Sequence, residues 1–271
     1  MSQSPTFVVP GWPRWGVVLP WARDPPTTFL FTTEILADTM KKRFCVYIDG
    51  LNLYYFLHHR YPELKWLDVV RLAENLLGVN YRISRVKYYT ARFMDNQKSR
   101  WQKVYWEALE TRKEVTIYEG KFKPVDKRGK PLDEWTRQMV RWVKQSVEEY
   151  LPPASPVPNI KIRTYEEKRT DVNLAVHLVR DALLKRFDAV AVVSNDSDFL
   201  EAIKIVNNET KLPIWLLSPT MADSGKRGPH GDLQAIITPD FVKRITKQDL
   251  KVAQFPQRIP NTNIIRPSEW E

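Results

Sequence analysis

Short apolar runs alternate with amphipathic segments from residue 43 onward, and this alternation predicts an α/β fold. The run 44–48 is continuously apolar, which is typical of a strand buried on both faces. A second such run covers 189–193, and weaker strand patterns lie at 83–90, 115–118, 160–162, 214–217 and 235–237. Strands that alternate with helices favour a mainly parallel sheet with helices on both of its faces.

Apolar residues at helical spacing predict helices between these strands, at 52–59, 66–77, 101–109, 132–150, 170–187 and 198–207. Six of the 20 prolines fall within the first 26 positions, and this density excludes a regular helix or central strand there. We therefore predict a Pro-rich, disordered or loosely docked extension at 1–39 and a domain at 40–250. The domain carries a basic helical insertion at 120–158, which begins as a loop, and a tail at 251–271 wraps over the body.

Charge and cysteine content narrow the classes of function. Lys and Arg number 42 against 32 Asp and Glu, a formal net charge of +10. Such a balance suggests a nucleic-acid partner, although a merely soluble basic surface explains it equally well. The single cysteine, Cys45, excludes a disulfide scaffold and a zinc site built from cysteines. No apolar run has membrane-spanning length and no basic signal-peptide start is present, so a cytoplasmic protein without a membrane partner is predicted.

Acidic residues follow two of the predicted strands. Asp49 ends the first strand, and Asp196 with Asp198 follows the strand at 189–193. If these strands are parallel neighbours, their acids lie at one edge of the sheet, and Asp171 in the first turn of a helix joins them there. Taken singly, each acid also fits an ordinary helix start or turn. Taken together they favour a bound cation, and oxygen ligands without cysteine suit Mg²⁺ or Mn²⁺.

Three segments carry a family resemblance: YIDGLNLY at 47–54, EKRTDVNLA at 167–175 and VSNDSDF at 193–199. They resemble the signature segments of NYN domains, which belong to the PIN-like nuclease superfamily, and the resemblance covers about 43–250. It implies a PIN-like three-layer α/β/α sandwich with a mainly parallel central sheet. It also implies a divalent metal held by carboxylates and cleavage of RNA phosphodiester bonds.

The resemblance assigns roles position by position. It makes Asp49, Asp171, Asp196 and Asp198 the catalytic acids and the ligands of Mg²⁺ or Mn²⁺, with Asn52 and Lys168 as polar helpers. Two positions depart from the family pattern, because Asn195 and Arg169 stand where glycine is usual. Asparagine tolerates the left-handed conformation, so we expect the turn at Asn195 to survive. Arg169 is expected either to pair with phosphate or to quench part of the Asp171 charge.

Basic residues outside these segments are candidate RNA contacts. A helical stripe of Arg137, Arg141 and Lys144 would guide phosphates toward the acids, together with Lys121, Lys123 and Lys127 from the predicted loop and with Lys168 and Arg169. A solvated helix face explains the stripe equally well.

The main interpretation is a metal-dependent endoribonuclease whose partner is RNA. The alternative is a catalytically weak RNA-binding or regulatory module with the same fold. A phosphotransfer enzyme with Asp49 as nucleophile is disfavoured, because Leu51 replaces the second aspartate of the usual Asp-x-Asp motif. The sequence leaves a monomer and a homodimer both open.

Overall fold

The computed structural model describes residues 41–78, 81–129, 138–139, 160–219 and 231–270. These residues belong to one compact unit that begins at Lys41. The predicted extension at 1–39, most of the predicted helix at 132–150 and the stripe of Arg137, Arg141 and Lys144 lie outside the described residues.

Seven described strands form one sheet: β1 Lys42–Asp49, β2 Tyr81–Ala91, β3 Val115–Gly129, β4 Ile160–Lys168, β5 Ala189–Val193, β6 Ile214–Ser218 and β7 Val242–Arg244. Their order across the sheet is β4-β3-β2-β1-β5-β6-β7. Neighbouring strands are parallel except β3 and β4, which run antiparallel. The predicted α/β class with a mainly parallel sheet is confirmed.

Helices cover both faces of this sheet: α1 Gly50–Arg60, α2 Val69–Leu77, α3 Asn96–Glu110, α4 Thr170–Leu183, α5 Leu200–Thr210, α6 Gly231–Ile236 and α7 Lys247–Val252. Apolar residues of α1, α2, α3 and α7 pack in one core cluster. Those of α4, α5 and α6 pack in a second cluster. The described part of the molecule is therefore a three-layer α/β/α sandwich.

The central strand β1 shows why the sheet is covered on both sides. Phe44, Val46 and Ile48 face the first core cluster, whereas Cys45 and Tyr47 face the second. All five are buried. Side chains alternate between the two faces of a strand, so a run that is apolar at every position belongs between two helical layers.

Three sequence predictions about secondary structure are wrong. Residues 120–129 are not a loop but the second half of β3, which pairs with β4 from Lys121 opposite Lys168 to Gly129 opposite Ile160. The run 235–237 is not a strand, since α6 extends to Ile236. The helix predicted at 170–187 ends at Leu183.

The C-terminal segment packs on the first core cluster. Phe255, Ile259 and Trp270 are buried, and the indole N–H of Trp66 donates to the carbonyl of Pro256 at 2.8 Å. Burial of three large apolar side chains fixes this segment to the body, since each one adds about 1.5–3 kcal/mol of transfer free energy. Among the described helices, none combines the length and the apolar character that crossing a bilayer requires.

Candidate active site

The ends of β1 and β5 meet at the centre of the sheet. The two strands are parallel neighbours with Ile48 opposite Val193, so Asp49 and Ser194 leave the sheet side by side. The buried Asp49 side chain accepts the backbone N–H of Asn52 at 3.0 Å and thereby caps α1. Its other oxygen accepts the Ser194 hydroxyl at 3.0 Å. Asp49 is thus held in one orientation by α1 and by the residue that follows β5.

The turn after β5 brings Asp196 and Asp198 to the same edge. The Asp196 N–H donates to the Ser194 hydroxyl, and the Asp198 N–H donates to the Asp196 carboxylate, both at 3.0 Å. The amide oxygen of Asn52 accepts the Asn195 N–H at 3.3 Å and links this turn to α1. These bonds position Asn52 as a support for the turn.

Asn195 has no positive φ, so the turn does not use the left-handed conformation that asparagine tolerates. Its side chain instead donates to the carbonyl of Pro219 and accepts the Ser218 hydroxyl at the end of β6. The turn is held by these contacts.

Asp171 reaches the edge from the third segment. It lies in the first turn of α4, directly after Arg169, whose φ of 94° is in the left-handed region. Arg169 is the N-cap of α4, and the Thr170 N–H donates to the Glu167 carboxylate at 3.0 Å. This backbone conformation strains a residue with a Cβ and favours glycine, which is the residue that the family resemblance gives for position 169.

The β3 backbone at Gly120 lies very close to the side chain of Glu167. A Cβ at Gly120 would lie 2.3 Å from a Glu167 carboxylate oxygen and 2.8 Å from the Thr170 methyl group. A side chain at position 120 would therefore displace Glu167 and Thr170, where β4 enters α4. The β3–β4 pairing thus delivers Asp171 to the carboxyl edge of the parallel strands.

The carboxylates perturb one another. Burial raises the pKa of Asp49 to about 6, with the Asn52 N–H acting against it and the charge of Asp171 adding to it. Burial and then the charges of Glu167, Asp196 and Asp198 raise the pKa of Asp171. Burial and like charges therefore both act against the charged forms of Asp49 and Asp171, and a bound cation would offset both effects.

The donor set fits a hard divalent cation. All candidate ligands are carboxylate oxygens, and Mg²⁺ characteristically takes only one or two carboxylates and completes its shell with waters and phosphate. In the part of the chain that the structure describes, no three or more His, Cys, Asp or Glu side chains close into a ready-made metal cluster.

Basic side chains flank the acids on the β3–β4 ribbon. Lys121, Lys123 and Lys127 alternate along β3 and share one face with Lys168, which lies directly opposite Lys121. All four are exposed, although Lys127 and Lys168 both pair with Glu166. The residues predicted in a loop thus form a basic stripe on a two-stranded ribbon beside Asp171.

Two contributors to the site were not among the predicted residues. Ser194 joins Asp49 to Asp196, and its sequence signal is a hydroxyl between a fully apolar strand and the acidic pair. Glu167 supports Thr170 and acts on Asp171, and its signal is a carboxylate three residues before a helix start.

A family model decides the classification. The model for the NYN domain matches residues 43–227, which include all three segments that form the acidic edge. The chain belongs to the NYN domain family. This family is part of the PIN-like nuclease superfamily, so the acidic edge belongs to a nuclease-like fold.

A curated relative and two solved structures are also similar to this NYN domain. A 6-hydroxy-3-succinoylpyridine 3-monooxygenase of Pseudomonas putida is 26% identical over 253 residues, 86% of this chain and 77% of that protein. A protein of unknown function from Vibrio parahaemolyticus gives a TM-score of 0.41 at 12% identity, covering 76% of this chain and 94% of that one. A chain from a structure of Sir2 enzymes gives a TM-score of 0.30 at 13% identity, covering 84% of this chain and 95% of that one. Both scores lie below 0.5, so neither likeness bears on function.

Proposed function

We propose that this NYN domain is a metal-dependent endoribonuclease with Asp49, Asp171, Asp196 and Asp198 as its catalytic acids. The observation that carries the proposal is the meeting of acids from separate chain segments at one edge of the sheet, where the Ser194 hydroxyl bonds to Asp49 and to the Asp196 N–H. The charge of Asp171, from a third segment, adds to the burial that raises the pKa of Asp49. Asp49 and Asp196 each accept one backbone N–H at a helix start, but carboxylates gathered at one edge also repel one another, and a bound cation would offset that repulsion.

The acids would hold Mg²⁺ or Mn²⁺, which supplies an activated water and neutralises charge on the phosphate. Asp49 is oriented for this by the Asn52 N–H and the Ser194 hydroxyl. The exposed Lys121, Lys123, Lys168 and Arg169 offer cations to the phosphates that flank the cleaved bond. No side chain is required as a nucleophile.

The test is cleavage of a mixed pool of RNA by the purified full chain in Mn²⁺ and in EDTA. Wild type is expected to cleave in Mn²⁺ only. Asp49→Asn and Asp171→Asn are expected to reduce the rate by about 100-fold or more, because each removes a charged ligand. The matched control is Asp240→Asn, an exposed acid just before β7 at the opposite edge of the sheet. Equal rates in all variants would contradict the proposal.

Retained RNA binding with no Mn²⁺-dependent cleavage by wild type would instead support the alternative, a regulatory RNA-binding module. A second candidate function comes from the relative that matches 86% of the chain, which is named a monooxygenase. It predicts oxygen-dependent hydroxylation of 6-hydroxy-3-succinoylpyridine in the presence of an electron donor. Product formation by wild type without any RNA cleavage would favour this second candidate.

A further inference from the structure

An open cavity lies between α1, β2 and α3. We call it the aromatic pocket, because its walls are mostly rings: Tyr54, Tyr88, Phe93, Trp101, Trp106 and Trp270. Tyr54, Phe93 and Trp101 are only half-buried and present ring surface to the cavity. Nothing in the acidic site uses these side chains.

The aromatic pocket adjoins the acids through two residues. Gly50 follows Asp49 directly and lines the pocket, and a Cβ on it would lie 2.7 Å from the ring of Tyr88. Burial and then the negative charge of Asp49 raise the pKa of Tyr88. One wall of the pocket therefore begins at the acidic edge.

The ring geometry suits a flat aromatic guest. Tyr54 is stacked on His58 with an interplanar angle of 6° and a centroid separation of 5.6 Å. The ring centroids of Phe93 and Tyr54 lie 4.7 Å apart. Partly exposed, mutually supported rings are the platforms on which proteins stack the bases of single-stranded nucleic acid.

The pocket also carries positive charge. Lys65 and Lys98 both line it, and within the described chain neither forms an ion pair. Lys65 lies over Trp270 at 5.6 Å from the ring centroid. Asp95, the carboxylate at this end of α3, caps the helix by accepting the Lys98 N–H at 2.8 Å. Two unpaired ammonium groups beside flat rings fit a guest that is both aromatic and anionic.

We propose that the aromatic pocket binds one nucleotide of the substrate RNA, with the base against the rings and its phosphate at Lys65 and Lys98. The proposal rests on the proposed function and specifies its substrate as a single strand whose base next to the cleaved bond is unstacked. A nucleotide is favoured over a smaller aromatic acid because the pocket meets the acidic edge at Gly50. A base seated there continues into a phosphate backbone that reaches the acids.

The test measures the affinities of the full chain by calorimetry in EDTA, with adenosine and uridine 5′-monophosphates, ribose 5-phosphate and benzoate. At least one nucleotide is expected to bind at least tenfold more tightly than ribose 5-phosphate and benzoate. Lys98→Glu is expected to weaken that binding by about tenfold, while the control Lys103→Glu changes it less than twofold. Both lysines are exposed on α3, but only Lys98 lines the pocket.

Four results would overturn the proposal: no binding of either nucleotide, equal affinity for ribose 5-phosphate, equal affinity for benzoate, or equal effects of the two lysine variants. Asp49→Asn separates this proposal from the catalytic one, since removal of a negative charge is expected not to weaken nucleotide affinity in EDTA, whereas it is expected to reduce cleavage. Nucleotide binding without Mn²⁺-dependent cleavage would contradict the catalytic proposal alone. Cleavage without nucleotide binding would contradict only the pocket proposal.

Discussion

The Ser194 hydroxyl donates a 3.0 Å hydrogen bond to the Asp49 carboxylate, across the carboxyl ends of two parallel strands. The same oxygen accepts the Asp196 N–H, so a single buried atom fixes the relative position of two candidate metal ligands. Groups that orient metal ligands in this way control metal affinity and activity.

Ser194→Ala is therefore expected to lower the rate of RNA cleavage by about 10- to 100-fold, because Asp49 loses its orienting donor. Steady-state cleavage in Mn²⁺ measures this. Ser84→Ala is the matched control, since the Ser84 hydroxyl also bridges two strands, to the Phe44 carbonyl, at the opposite edge of the sheet. Equal rate losses in the two variants would show that Ser194 serves stability alone.

Arg169→Gly is expected to stabilise the protein relative to Arg169→Ala by about 1 kcal/mol. The backbone at this position has a φ of 94°, which glycine adopts without the steric cost that a Cβ brings. Both variants remove the same charge, so the difference between their free energies of unfolding reports the backbone strain at this position. Chemical denaturation of the two variants measures it. A less stable Arg169→Gly would contradict the strained conformation.

Asp49 predicts a pH dependence of stability in metal-free buffer. Its folded pKa of about 6 lies above its unfolded value of about 4, so the folded state binds more protons between these limits. The free energy of unfolding is expected to fall as the pH rises through this window, by about 3 kcal/mol at most. In Asp49→Asn this part of the decline should vanish. Denaturation of both proteins from pH 4 to 8 in EDTA measures it, and parallel curves would contradict the raised pKa.

Lys121 and Lys123 are expected to contribute to RNA affinity through phosphate contacts. Each phosphate contact with a single strand contributes about 0.7 to the slope of log affinity against log salt, so changing both lysines to Glu should lower the slope by about 1.4. Titrations of a labelled RNA at several salt concentrations measure the slope. Lys251→Glu, on α7 and equally exposed, serves as the control. A slope unchanged from wild type would make the basic stripe a solvated surface only.

The acidic edge was predictable because its causes are local. Asp49 and Asp196 directly follow apolar runs, and parallel strands bring their carboxyl ends to one edge. The ribbon at 121–129 was not predictable, since its lysines and Pro124 carry no strand pattern and its pairing partner is β4, far along the chain. The left-handed backbone at Arg169 also follows from the β4–α4 junction and not from its side chain. The aromatic pocket is assembled from separate segments, so no local pattern marks it.

The central claim is that the four acids together bind one or two divalent cations, and metal-linked unfolding of Asp171→Asn tests it most directly. In EDTA the variant should be as stable as wild type or more stable, because it relieves repulsion by Glu167, Asp196 and Asp198. In excess Mn²⁺ wild type should gain about 2.7 kcal/mol at a hundredfold excess over the dissociation constant, whereas the variant gains little. Equal gains in the two proteins, with Asp171→Asn clearly destabilised in EDTA, would contradict the claim and leave Asp171 an ordinary helix-start residue.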